Sequence, residues 1–145
     1  MPCDSTARRY AQGVARFSAA FGLCSDAAMT TLGSQLKMRE LISARLGDML
    51  ANLYMASMVL KHWHETQPVE GEADLLEYSM ALLLYRTENA LDELLQNLPN
   101  RAVAVALRMI TMPLGRRWDK HPDDLTPRGA RGHRTQPPRP AHPLA

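Results

Sequence analysis

The stretch ARLGDMLANLYMASMVLKHWHE, residues 44–65, is one of the longest apolar segments of this chain and ends in two histidines around a tryptophan. It raises three possibilities: a membrane span, a metal site, or the centre of a helical protein. Its large apolar side chains recur at alternating steps of four and three residues, which places them on one stripe of a helix. The stripe consists of Ile42, Leu46, Met49, Leu53, Ala56, Leu60 and Trp63. This spacing favours a helix buried at the centre of a bundle.

A membrane span is the weaker interpretation of the same stretch. Its uninterrupted apolar part runs only from Met49 to Leu60 and already contains Asn52 and Ser57. A helix that crosses a bilayer needs about 20 apolar residues. We therefore expect no transmembrane segment.

The N-terminal region predicts a helix with an interruption. Residues 4–6 offer Asp, Ser and Thr side chains that can cap a helix N-terminus. Apolar residues then recur at helical spacing: Tyr10, Val14, Phe17, Phe21 and Leu23 or Cys24. We expect Gly22 to loosen this helix, a short continuation to end at Leu32, and Gly33 to cap it.

Three further helices are predicted, over about 35–65, 73–97 and 101–112, with a loop of about eight residues, QPVEGEAD, between the first two. The third helix of the chain carries its own stripe: Met80, Leu84, Thr87, Leu91, Leu94 and Leu98, widened by Leu76, Leu83 and Leu95. Asn100 is placed to cap the last helix and Pro113 to end it. No segment alternates with a period of two. We predict an all-α domain over residues 1–125, an antiparallel bundle of about four helices.

The last twenty residues differ from this domain. Residues 126–145 contain five prolines, four arginines and no acid, so the formal charge of +2 for the whole chain conceals a body with 13 basic and 15 acidic residues. Such a tail cannot bury enough apolar surface to offset its ordering entropy, and we predict that it is disordered. Four arginines without interleaved aromatics are a weak signal for nucleic acid, so no nucleic-acid partner is expected, and an arginine-tethered protein stays the third alternative.

The histidines of the opening stretch do not form a chelating pair. His62 and His64 are two residues apart and point to different sides of a helix. His62 and Glu65 have suitable spacing, but a metal site needs three or four ligands. We interpret both histidines as surface residues at a helix end and assign no metal ligand.

Glu88 and Asp92 are spaced like carboxylates of a di-metal bundle, but the Glu-x-x-His pairs of such sites are missing. We interpret them as a solvated acidic face with Arg86 nearby, and methionines at stripe positions, such as Met49 and Met80, as core. No phosphate-binding loop or nucleophile elbow is present in the sequence. The sequence therefore supports no catalytic residue.

Cysteine usage and the N-terminus bear on the compartment. The chain has only Cys3 and Cys24, and it begins MPCDSTARRY, without the apolar core of a signal peptide. A domain of this size does not need a disulfide. We expect a cytoplasmic protein.

Several short segments of the sequence resemble those of one protein family. They are LGSQLKMRE (residues 32–40), SARLGD (43–48), LPNR (98–101) and MPLGRRW (112–118). The chain is similar over roughly residues 5–125 to the C-terminal helical region of the long bacterial acyl-CoA dehydrogenases of fatty-acid β-oxidation. We expect this likeness to end near residues 124–125.

The resemblance implies a flavin enzyme, in which a glutamate base removes an α-proton from a fatty acyl-CoA and FAD receives the β-hydride to give the trans-2-enoyl-CoA. The base and most flavin contacts of the family lie upstream of the matched stretch, and Glu40 and Glu88 match no such motif. We expect the chain by itself to be inactive and without cofactor, and its FAD-binding residues are left open. Its implied partners are the rest of the dehydrogenase, or another copy through its helices, with acyl-CoA only in the full-length enzyme.

Two further hypotheses stay open. The Arg-, Pro-, Gly- and His-rich ending has the composition of GC-rich DNA read out of frame, which suggests a truncated or frame-shifted piece of a longer gene. The alternative function is a non-catalytic helical module that binds another protein through an exposed helix face.

Overall fold

The computed structural model describes residues 2–34, 40–66, 71–112, 115 and 118, with side chains from Ser5 onward. Within this part of the chain four α-helices follow one another and no strand occurs. They are α1 (Pro2–Leu32), α2 (Glu40–Glu65), α3 (Glu72–Asn97) and α4 (Arg101–Thr111). The predicted all-α bundle is confirmed.

The relative directions of the first three helices follow from contacts between named residues. Arg45, near the start of α2, forms an ion pair with Glu93, near the end of α3, so these helices are antiparallel. Tyr10 donates from its hydroxyl to the Glu77 carbonyl at 3.4 Å, and Gly13, one turn later, lies against Leu84. Helix α1 therefore runs parallel to α3.

The stripe predicted on α2 faces the interior. Its members Ile42, Met49, Leu53, Ala56 and Leu60 are buried, and Leu46 and Trp63 are partly buried against them. Across the described helices, no segment combines the length and apolarity that a bilayer crossing requires. The opening stretch is a helix of the bundle, with one side buried against α1 and α3.

The stripe predicted on α3 is buried from Met80 to Leu98. Thr87 is a polar member of this stripe, and its hydroxyl donates to the Leu83 carbonyl one turn earlier at 2.8 Å. A buried hydroxyl with a hydrogen-bond partner does not incur the cost of an unsatisfied polar group. Thr87 can therefore occupy a core position.

Helix α1 differs from its prediction. It is continuous from Pro2 to Leu32, so the expected interruption at Gly22 is wrong, and residues 4–6 lie inside the helix rather than capping it. Proline is favoured at the first turn of a helix. A glycine costs only about 1 kcal/mol in a helix interior, and burial continues on both sides of Gly22, at Ala20, Cys24, Ala28 and Leu32. The free energy gained by burying these residues exceeds the cost of a glycine within the helix.

The remaining boundaries lie close to the prediction. The Asn100 side chain accepts from the backbone N–H groups of Ala102 (3.1 Å) and Val103 (3.4 Å), which confirms it as the cap of α4. Gly33 has a φ of +49° directly after α1, as expected of a glycine that ends a helix. The predicted start of α2 at residue 35, most of the loop before α3, Pro113 and the tail from residue 126 lie outside the described residues.

The substitution Leu53→Ala tests whether the stripe on α2 is buried in the bundle. Leu53 is 5% exposed, and truncating a buried leucine leaves a cavity, so we expect unfolding free energy to fall by about 2–5 kcal/mol. Urea unfolding followed by circular dichroism measures the change. The matched control is Leu75→Ala on α3, where the side chain is 58% exposed and we expect a change within about 0.5 kcal/mol. Equal effects of the two substitutions would contradict the burial of the α2 stripe.

Candidate functional site

The chain concentrates its buried polar contacts where α1, α3 and Trp118 meet. Tyr10 is buried, and its ring stacks on Trp118 with centroids 5.5 Å apart and an interplanar angle of 27°. The backbone N–H of Trp118 donates to Glu88 Oε2 at 2.9 Å. We call Tyr10, Gly13, Leu84, Glu88 and Trp118 the Tyr10–Trp118 cluster. It fixes Trp118 against the first and third helices.

The protonation of Tyr10 follows from its surroundings. Burial raises the pKa of Tyr10, because a phenolate would lose its hydration. A hydrogen bond and the charge of Arg9, whose guanidinium lies 5.2 Å from the ring centroid, lower the Tyr10 pKa in part, and the negative charge of Glu77 raises it. The hydroxyl thus stays protonated near neutral pH and acts as a donor to the Glu77 carbonyl, not as a general base.

Glu88 and Asp92 do not form a solvated acidic face, and that interpretation is wrong. Glu88 is 2% exposed and belongs to the cluster. Asp92 is largely covered, and its Oδ1 lies 3.0 Å from Arg108 Nη1 on α4. Gln96 donates to the other oxygen at 2.9 Å. The two carboxylates therefore attach Trp118 and α4 to α3.

The position of Glu88 relative to the apolar residues of α3 could have indicated that Glu88 is buried. It follows Leu84 by four residues and precedes Leu91 by three, so it lies on the buried side of α3. Residue type alone indicated a surface position, because glutamates are rarely fully buried without a partner. The partner, the backbone of Trp118, is thirty residues away and is brought there only by the fold.

Arg16 makes a long-range contact that the sequence pattern does not predict. Its Nη2 donates to the Thr111 carbonyl at the end of α4 at 2.7 Å. A cation at a helix C-terminus interacts favourably with the unpaired carbonyls there. Together with the pair between Arg108 and Asp92, this bond holds α4 to the bundle by charged groups at its C-terminal half.

The histidines considered for metal binding are exposed in the last turn of α2. His62 Nδ1 lies 3.3 Å from the Thr66 hydroxyl, and His64 projects from a different side of the helix. Among the residues that the structure describes, no group of three or more His, Cys, Asp or Glu side chains could hold a metal ion.

An open depression of about 510 Å³ lies beside the start of α4, lined by Thr31, Pro99, Asn100, Arg101 and Ala102. Asn100 uses its side-chain oxygen there for the helix cap, which leaves Arg101 as the charged group of the lining. Small-molecule sites are concave, mostly apolar and bury most of their ligand. This open surface does not fit a flavin, and we assign it no cofactor.

Two helix faces expose apolar side chains. The α2 outer face consists of Gly47, Leu50, Ala51, Tyr54, Met55 and Met58, and the α4 outer face of Ala102, Val105, Ala106, Met109 and Ile110. Met49 and Met80, at stripe positions, are buried as predicted, whereas Met55, Met58 and Met109 are exposed. Exposed apolar side chains that adjoin on one helix face make that face a candidate for protein interaction.

Comparison with known proteins assigns the chain to one protein family. The family model described as "Acyl-CoA dehydrogenase, C-terminal, bacterial type" matches residues 1–138, which confirms the resemblance found in the sequence. The match continues beyond residue 125, where we expected the likeness to end, and includes part of the predicted tail. No solved structure matches the chain.

Gly13 and Gly22, both inside α1, offer a matched test of the Tyr10–Trp118 cluster. A Cβ at residue 13 would lie 3.0 Å from Leu84 Cδ1 and 3.4 Å from Trp118 Cζ2, whereas one at residue 22 would meet nothing within 4 Å. We expect Gly22→Ala to raise unfolding free energy by about 0.5–1 kcal/mol through helix propensity. Gly13→Ala should gain less and Gly13→Val should destabilise. Equal gains for both alanines in urea unfolding would contradict the close packing at Gly13.

The thiol of Cys24 should be unreactive. Burial raises the pKa of Cys24 to about 11, and the thiolate is the nucleophile. In a Cys3→Ser chain at about pH 8 we expect slow modification by an aromatic disulfide reagent, a faster rate as pH rises, and a rapid reaction after unfolding in urea. Absorbance of the released thiol measures the rate, and a Cys3→Ser/Cys24→Ala chain gives the background. Rapid modification of the folded chain would show that Cys24 is accessible.

Proposed function

The chain belongs to the family of bacterial-type acyl-CoA dehydrogenase C-terminal domains, and we propose that it forms the helical C-terminal part of a FAD-dependent acyl-CoA dehydrogenase of fatty-acid β-oxidation. The observation that carries this proposal is the extent of the family match, residues 1–138 of 145. The bundle predicted from the resemblance and the bundle in the structure support it.

The reaction of such an enzyme converts an acyl-CoA to a trans-2-enoyl-CoA: a glutamate accepts the α-proton and FAD accepts the hydride from the β-carbon. We assign neither step to this chain. Glu88 accepts a hydrogen bond from a backbone amide within the bundle, and Asp92 is paired with Arg108, so these two carboxylates have structural roles. The proposed contribution of the chain is structural.

The α4 outer face is the proposed contact with the remainder of the enzyme. Three apolar residues of this face are each more than half exposed: Val105, Met109 and Ile110. Leu107 and Thr111, on the other side of α4, are buried against the bundle. Because an amphipathic helix normally turns its apolar side inward, apolar residues on both sides indicate that α4 lies between two packed bodies.

A second candidate function is a non-catalytic helical module that binds another protein. The exposed α2 outer face favours it, because this face is apolar and α2 does not contact α4. The proposed location is the cytoplasm in either case; a buried, unpaired Cys24 is compatible with a reducing compartment.

Reconstitution tests the first proposal. A bacterial-type acyl-CoA dehydrogenase, deleted of the region that the family model matches, is co-expressed with the tagged chain. We expect the two proteins to co-purify with FAD and to oxidise palmitoyl-CoA with a dye acceptor, whereas the chain alone with FAD and palmitoyl-CoA gives no turnover. Turnover by the chain alone would contradict the absence of a catalytic base. Failure to co-purify would contradict the proposed association.

The variant Met109→Asp locates the contact. A carboxylate in the centre of an apolar interface is desolvated without a partner, so we expect loss of co-purification. Leu75→Asp, at another apolar position that is more than half exposed, on α3, is the control and should retain it. Circular dichroism confirms that both variants are folded. Retention by Met109→Asp would exclude the α4 outer face as the contact.

A further inference from the structure

We propose that α4 is an order–disorder switch: it leaves α1 and α3 and unfolds as one unit, while the other three helices stay packed. The docked helix is the closed state, and the undocked, unfolded segment is the open state. This inference does not depend on the flavin-enzyme assignment. It rests on the low stability of α4 as an isolated helix, its small buried surface, and the charged contacts that hold its C-terminal half.

The first property is the low stability of α4 by itself. It has eleven residues, and isolated helices shorter than about 12–15 residues are marginal in water even when they are rich in alanine. Four of the eleven residues are β-branched, which lowers helix propensity further: Val103, Val105, Ile110 and Thr111. Helix α4 therefore needs its contacts with the bundle in order to stay helical. Undocking and unfolding are one event.

The second property is the small part of the core that α4 supplies. Leu107 and Thr111 are its buried residues, Met112 follows them, and Val103 and Ala104 pack partly against the core. Helix α3 carries eleven buried residues and α2 carries six. Because hydrophobic stabilisation is roughly proportional to buried apolar area, releasing α4 costs less free energy than separating α2 from α3. Segments with few buried apolar contacts open at lower free energies than the whole protein unfolds.

The third property is that charged groups anchor the C-terminal half of α4. Arg16 on α1 donates to the Thr111 carbonyl at 2.7 Å, and Arg108 on α4 lies 3.0 Å from Asp92 on α3. Both contacts join α4 to another helix, so both are lost when α4 leaves. The Arg108 side chain is 51% exposed, and salt screens charges that face solvent. Higher ionic strength should therefore shift α4 towards the open state.

Both ends of α4 stay attached to the bundle when the helix opens. It follows α3 after a short connection, in which Asn100 is extended (φ −91°, ψ 101°). After α4, Gly115 has a φ of +75°, and its N–H donates to the Met112 carbonyl at 3.1 Å. Trp118 is then held by the Tyr10–Trp118 cluster. A segment tethered at both ends returns to its site at a high effective concentration, so we expect opening to be brief and reversible.

The switch is linked to the proposed contact with the remainder of the enzyme, and this step rests on the proposed function. The apolar side chains of the α4 outer face adjoin one another only while α4 is helical. A partner that binds this face therefore binds the closed state, and it shifts the population towards that state. We expect α4 to open less often in the assembled enzyme than in the free chain.

Native-state hydrogen exchange of the 145-residue chain, followed by NMR, tests the proposal. Ala104 and Met112 donate from their backbone N–H groups to carbonyls four residues earlier, so amides 104–112 report on α4. We expect these amides to share similar protection factors, at least about 100-fold below those of buried positions such as Met49 on α2 and Leu84 on α3. Raising NaCl to about 1 M should lower the protection of α4 about threefold and leave Met49 and Leu84 unchanged.

Arg16→Gln and Arg45→Gln form a matched pair of variants. Each removes a half-buried guanidinium that joins two helices: Arg16 contacts the Thr111 carbonyl on α4, and Arg45 contacts Glu93 on α3. We expect Arg16→Gln to lower the protection of α4 about tenfold, because a hydrogen bond from a charged group is lost. Arg45→Gln should change the protection of α4 by less than about threefold. Circular dichroism establishes that both variants are folded.

Three results would overturn the proposal: α4 protection factors equal to those at Met49 and Leu84, values that differ widely along α4, or equal effects of Arg16→Gln and Arg45→Gln on α4. The co-purified complex with a dehydrogenase gives a separate readout, in which the protection of amides 104–112 should rise at least about tenfold. If the two proteins do not co-purify, the proposed function fails, whereas exchange in the free chain still decides whether α4 is a switch. Protection that stays low in a co-purified complex would overturn the link to assembly.

Discussion

The structure depends on burial of the inner stripe of α2 between its neighbours. Its seven members recur at steps of four and three, and five of them are buried completely or nearly so. Because α3 carries a stripe of the same period and runs antiparallel, the two helices pack along their length and the first helix closes over them. Each fully buried leucine or methionine contributes about 1.5–3 kcal/mol relative to exposure, which makes this the main source of stability.

Polar contacts then help to position α4 and Trp118, whose placement does not follow from apolar packing alone. Helix α4 buries Leu107 and Thr111 and packs Val103 and Ala104 against the core, and contacts of Arg16, Arg108 and Asp92 add to its placement. The position of Trp118 relies in the same way on Glu88 and on stacking with Tyr10. Directional bonds of this kind fix orientation more than they add stability, since hydrogen bonds in proteins contribute only about 0.5–1.5 kcal/mol net.

The acidic residues and histidines that attract attention in the sequence thus serve the fold or lie at the surface. What the bundle offers to other molecules is apolar: the α2 outer face and the α4 outer face. Such surfaces suit the proposed role of the chain as a part that packs against the remainder of a larger enzyme. Membership of the acyl-CoA dehydrogenase C-terminal family and the exposed faces are in this respect consistent with each other.

The helices, the apolar stripe of α2, the caps at Asn100 and Gly33, and the family could all be predicted from the amino-acid sequence. These features depend on residues that are close along the chain or on short sequence motifs. The sequence did not determine that α1 passes through Gly22 without a break, since the burial of Ala20, Cys24 and Ala28 comes from neighbouring helices. Nor did it determine that Glu88 and Asp92 are covered. Their partners, Trp118 and Arg108, are distant in sequence, and only tertiary packing decides whether a carboxylate faces water or a hydrogen-bond donor.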